Sequence, residues 1–224
     1  MCNGHQKALQ TLARFSIYTL LIFGSLSALP HLVKQGDYSL FGENGPIELL
    51  QFAFIGQAAV VFAVGAWKEP PMRCLFTQFS LIALIAACRE LDGYFDRLPI
   101  IRWEMPAAVI IVIAIYLARR DWATLMPQVD RFVSSAPFGV LWASFIIIAL
   151  MAQLIGNGHF LELVMGDDYL REYKRVIEEI TELFGYMIFL FGSAETVLFD
   201  AKFRRAQSAG IAIFAEIDGS LARP

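Results

Sequence analysis

The stretch IELLQFAFIGQAAVVFAVGAW, Ile47–Trp67, holds a single ionisable side chain, Glu48, and that one lies in its first turn. A bilayer hydrocarbon core of about 30 Å is crossed by about 20 predominantly apolar residues in a helix. This stretch has the length and the composition of such a crossing. Working outward, five more runs of the same kind appear: 15–33, 71–89, 98–118, 137–155 and 179–199. The whole chain of 224 residues agrees with them. It is 57% hydrophobic and 17% charged, with mean hydropathy +0.56, whereas roughly a quarter of an average soluble domain is charged. The expectation is an all-α polytopic transmembrane bundle of about six spans over 1–200, followed by a cytoplasmic tail over 201–224.

This balance excludes disorder, collagen, a coiled coil and a small disulfide scaffold. A net charge of −3 leaves no basic footprint for nucleic acid. Cys74 and Cys88 lie on one expected helix, roughly 21 Å apart at 1.5 Å per residue, too far for a disulfide. The run 15–33 follows Lys7 and Arg14 like a signal peptide. It is long for that role and lacks a clean A-x-A site, so it reads as a retained first span. The third run carries Thr77, Gln78 and Ser80 and is expected to face other helices. The fourth is short unless it borrows Leu98–Glu104.

Lysines and arginines orient a membrane protein, because they are retained on the cytoplasmic side. With six spans, the N-terminal segment, the second-to-third loop, the fourth-to-fifth loop and the C-terminal tail hold 11 of them, against 7 on the other side. Both termini are therefore expected in the cytoplasm. Deleting the short fourth span and inverting the chain gives the same split. Leu98–Ala118 is kept because it is long enough as a whole and ends on Arg119 and Arg120.

Under this topology the polar residues near span ends gather on the non-cytoplasmic side. His31 ends the first span, and Glu48 and Gln51 open the second. Arg89, Glu90 and Asp92 close the third. Asn157 and His159 follow the fifth, and Glu178, Glu179 and Glu182 open the sixth. Asn44, Glu48 and Gln51 share one stripe. On the last helix, Glu178 and Glu182 align with Gly185, Gly192 and Thr196, where small residues allow close helix approach. Glu182 is thus expected to point into the bundle, with Arg89 as the natural partner for it or for Glu48. Asp167 or Asp168 is expected to cap the last helix, which opens amphipathically from Tyr169 with Lys174/Glu178 and Arg175/Glu179 as i,i+4 neighbours. Gly156-Asn157-Gly158 reads as a turn. Glu195 is expected to snorkel or to pair with Lys202 or Arg205.

Two readings of the polar set stand side by side. Charges belong at helix ends, and acids in a first turn suit the helix dipole, so a structural ion-pair network accounts for much of it. Intramembrane carboxylates also mark ion and proton paths. The candidate ligand- or ion-binding residues are Glu48, Gln51, Arg89, Glu90, Asp92, Glu178, Glu179 and Glu182. An alternative divalent-metal site would use Glu48, Glu90, His159 and Glu182 to activate water against lipid. No H-E-x-x-H, Glu-x-x-His pair, G-x-S-x-G or phosphate loop supports a named reaction.

Three stretches together, Glu43-Asn44-Gly45-Pro46-Ile47-Glu48, Cys88-Arg89-Glu90-Leu91-Asp92 with Phe95-Asp96, and Glu178-Glu179-Ile180-Thr181-Glu182-Leu183-Phe184-Gly185-Tyr186, resemble uncharacterised multi-pass inner-membrane proteins of bacteria. The resemblance implies the same location and treats these acids and Arg89 as a set; it carries no mechanism. The function classes left open are an outward-facing site for a cation, protons or a polar solute, an accessory or scaffolding subunit of a membrane complex, and a metal-dependent membrane hydrolase. Expected partners are the lipid bilayer and another membrane protein or a second copy, not nucleic acid.

Overall fold

The computed structural model describes residues 2–34, 38–42, 45–97, 100 and 102–221. Among them there is no strand. The helices in chain order are α1 (Cys2–Lys34), α2 (Pro46–Lys68), α3 (Arg73–Arg89), α4 (Asp92–Phe95), α5 (Glu104–Arg120), α6 (Trp122–Val133), α7 (Ala136–Ile146), α8 (Ala152–Gly156), α9 (His159–Met165) and α10 (Arg171–Leu221). A π-helical segment, Ile147–Met151, joins α7 to α8 without a break. Five stretches are long and apolar enough to cross a membrane: Ala8–His31, the segment ending in α2 at Lys68, Pro70–Arg89, Ala136–Gly156 and Arg171–Arg205.

The fourth expected span differs from its sequence reading. α5 has 17 residues and begins at Glu104, so it does not borrow the residues before it; Leu98 lies outside the described residues. Pro106 explains the start. Proline is best tolerated in the first turn of a helix, where no N–H is needed, and Glu104 stands two residues before it. At 1.5 Å per residue α5 is about 25 Å long. The last helix also differs. Gly166 (φ 55°) turns the chain through a 3-10 segment at Gly166–Asp168, and the backbone N–H of Lys174 is taken by the Leu170 carbonyl. Neither Asp167 nor Asp168 is therefore at the cap. At its other end α10 runs on through the expected tail to Leu221.

The chain divides into two compact units, Met1–Phe54 with Ser144–Phe191, and Ile55–Ala143 with Gly192–Pro224. In the first, Leu29 of α1, Phe41, Ile47 of α2, and Val176 and Leu183 of α10 form an apolar core. Tyr18 stacks on Phe191 with ring centroids 4.4 Å apart, so α1 runs antiparallel to this half of α10. Most of α1 is left with its leucines exposed. Gly185 lets α10 close on the π segment: a Cβ there would collide with Ile148 and come within 3.2 Å of Ile147.

In the second unit an aromatic chain links Phe62 of α2, Phe79 of α3, Phe132 of α6, and Phe138 and Trp142 of α7, with centroids 4.9–5.8 Å apart. Two of the three polar residues of α3 face other helices, while the Thr77 hydroxyl returns to the Arg73 carbonyl of its own helix. Ser80 donates to the Ala59 carbonyl (2.9 Å), and Gln78 donates to the Ala114 carbonyl (3.2 Å). The first turn of α3 is tied to α6, since the Leu75 N–H is accepted by Gln128 Oε1 at 2.9 Å. Such first-turn N–H groups have no helical acceptor, so Gln128 serves as a cap supplied by another helix. These contacts run α5 antiparallel to α3 and return the chain to the end where α3 began.

Candidate functional site

The expected site residues fall into both units. Glu48, Gln51, Glu178, Glu179 and Glu182 belong to the first; Arg89, Glu90 and Asp92 belong to the second. Asn44 and Glu43 lie outside the described residues.

In the first unit the join is made by Gln51. Its side chain is fully buried on α2. Nε2 donates to the Glu179 carbonyl (3.0 Å) and to Glu179 Oε2 (2.9 Å) on α10. Both amide hydrogens are thereby used, which fixes the orientation of the group. Oε1 is left buried with no hydrogen-bond donor among the described residues. An unmet buried acceptor costs about 1–3 kcal/mol. Glu182 lies one turn further along α10 and is 5% exposed, as the small-residue stripe implied. Glu48 is half-buried in the first turn of α2.

Glu178 is turned another way. It pairs with Lys174 at 3.3 Å, and its carboxylate occupies the place a Cβ on Gly156 would need. The turn at 156–158 thus demands glycine twice, since Gly158 adopts φ 71°. His159 opens α9 with 72% of its side chain exposed, 4.0 Å from Glu162. Among the described residues no three His, Cys, Asp or Glu side chains are arranged to hold a metal ion; of the four alternative metal residues, Glu48, His159 and Glu182 belong to the first unit and Glu90 to the second. The positive-φ turn carries His159 to the surface, while Glu182 is buried on α10.

In the second unit, Arg89 ends α3 half-buried, Glu90 is buried, and Asp92 is exposed with its carboxylate accepting the Gly93 N–H. The densest charge cluster of this unit lies elsewhere and was not marked by the sequence. Glu69, after α2, is 4% exposed and Asp200, on α10, is 3% exposed. Arg204 binds Glu69 through both faces of its fork, at 2.8 and 3.2 Å. Arg131 of α6 forms an ion pair with Asp200 and lays its guanidinium 4.2 Å from the Phe203 ring centroid. Asp200 also feels the charges of Glu69 and Arg204. Glu195 is buried, whereas Lys202 and Arg205 are exposed. A period-3.6 signal links Asp200 to Arg204 within α10, but nothing in a single sequence links either to Glu69 or Arg131. No family model, curated protein or solved structure matches this chain.

Proposed function

We propose that the chain is a multi-pass protein of the bacterial inner membrane, with six crossings and both termini in the cytoplasm, and that its first unit binds a cation, protons or a small polar solute through Gln51, Glu179, Glu182 and Glu48. The return of α5 to the starting end of α3 supports the sixth crossing. At about 25 Å, α5 needs only a modest local thinning of the bilayer. The observation that carries the binding reading is Gln51. A fully buried amide with both hydrogens committed and its oxygen unmet is complemented by a cation or by a ligand that donates a hydrogen bond. The neighbouring carboxylates of Glu179 and Glu182 would supply the countercharge, the usual arrangement on an ion or proton path.

The test is reconstitution into vesicles with an entrapped pH dye, together with thermal melting across a series of monovalent and divalent cations. Glu182→Gln and Gln51→Leu are expected to remove the cation or pH response of the wild-type protein. Unchanged flux and unchanged melting response in both variants would overturn the reading. A second reading is a scaffolding subunit. It is favoured by the hydrogen bond from Gln51 to the Glu179 backbone, which fixes the register of α2 on α10. It expects the same variants to lower melting temperature with no ligand response to lose.

A further inference from the structure

The ion pair of Arg131 with Asp200 lies beside a cavity of about 300 Å³ lined by Pro71, Met72, Thr124, Pro127, Gln128 and Arg131. Three of these bring hydrogen-bond donors. Arg131 has five N–H groups and gives one to Asp200. Gln128 spends its oxygen on the Leu75 N–H, which leaves its amide nitrogen as a donor. Thr124 does not return its hydroxyl to the carbonyl four residues back, as Thr77 and Thr196 do. The other three lining residues are apolar. The guanidinium is held before any ligand arrives, by a carboxylate on one side and the Phe203 ring on another, so little side-chain entropy remains to be lost.

The surroundings agree in sign. Contacts within this unit bring residues 68–73, 119–131 and 200–205 to one end of its helices, and these segments carry eight basic and four acidic residues. Their excess of positive charge attracts anions and the anionic leaflet of a membrane.

We infer that this cavity binds the phosphate of an anionic lipid head group, with Arg131, Gln128 and Thr124 as donors and with Pro71, Met72 and Pro127 against the glycerol and the first methylenes. The lipid, rather than a soluble phosphate, is chosen because half the lining is apolar and because the cavity lies at the ends of helices apolar enough to cross a bilayer. The inference rests on the proposed membrane location but not on the Gln51 site. Alkaline extraction of membranes tests that location independently of lipid binding.

The experiment is thermal melting and native mass spectrometry of the full-length protein in detergent. It is titrated with short-chain phosphatidic acid, phosphatidylglycerol, phosphatidylcholine, and inorganic phosphate. Saturable binding of the two anionic lipids, at least about tenfold tighter than phosphatidylcholine or phosphate, is expected from one charge-assisted contact. Arg131→Met combined with Asp200→Asn removes both charges together and is expected to abolish that preference. Thr124→Val, at an exposed position where folding is not at stake, should weaken it about threefold. No preference in the wild-type protein would overturn the inference. So would full preference in both variants. Inorganic phosphate binding as tightly as the lipids would overturn the lipid source. Loss of the preference in Lys202→Gln with Arg205→Gln, while the Arg131 variant keeps it, would show diffuse surface attraction instead and would also overturn it.

Discussion

The two units hold carboxylates by different means. In the first, the Gln51 amide donates to Glu179, and Glu178 pairs with a lysine one turn away on its own helix. In the second, Glu69 and Asp200 are met by arginines, and two helices and a connection contribute to the cluster. An amide brings hydrogen bonds to a carboxylate but no charge. An arginine holds the charge in place, and breaking such a buried pair is expensive because the remaining charge is stranded. The second arrangement suits a site that stays fixed and holds other groups in position.

The sharpest way to break this comparison is to strand a charge in the second unit. Arg131→Met is expected to destabilise by about 3–5 kcal/mol, read as a large fall in melting temperature in detergent. Adding Asp200→Asn should recover most of that loss, and a double variant no better than the single one would remove the ion pair from the account. Next in size is the helix contact of the first unit. Gly185→Val places a branched side chain against Ile147 and Ile148 and should cost about 1–3 kcal/mol by overpacking. Gln51→Leu should cost less, about 1–2 kcal/mol, since it deletes two hydrogen bonds but also removes an unmet oxygen. A loss as large as that of Arg131→Met would mean that Glu179 is held as firmly as Asp200, and the contrast between the units would fail.

The smallest effects lie at the surface. His159→Ala should change stability by less than about 0.5 kcal/mol, because its contact with Glu162 is long and exposed. Asp121, beyond the end of α5, accepts two hydrogen bonds from Arg120, and these hold its carboxyl below the ordinary carboxylate range. A lowered pKa contributes stability that is present above the unfolded value and is lost as pH falls through the folded one. Arg120→Gln should therefore raise the Asp121 titration midpoint toward its ordinary value, measured by carbon NMR of the labelled carboxyl.

Much of this was legible in the chain. Apolar runs set by the thickness of a bilayer marked the five long helices, and Gln78 and Ser80 marked α3 as facing its neighbours. The 3.6-residue stripe with Gly185, Gly192 and Thr196 marked Glu182 as buried. The short fourth run needed no extension to form a helix: α5 starts at Glu104, two residues before the proline at 106 that marks a helix start. The cap expected at Asp167 or Asp168 was overridden by the positive-φ turn at Gly166. The Glu69 and Asp200 cluster stayed hidden for a different reason: charges at span ends are unremarkable singly, and Glu69 is separated from Arg204 by 135 residues.

The sequence by itself determined the helical class, the apolar lengths and the uneven placement of a scarce set of charges, because hydrophobic burial and backbone satisfaction act through local composition and periodicity. Tertiary structure decided which charges meet. Pairing depends on distances between helices far apart in the chain, and those are set by where small side chains such as Gly185 allow backbones to approach. The same packing buried Gln51 with one oxygen unmet and left an arginine-lined cavity beside Asp200.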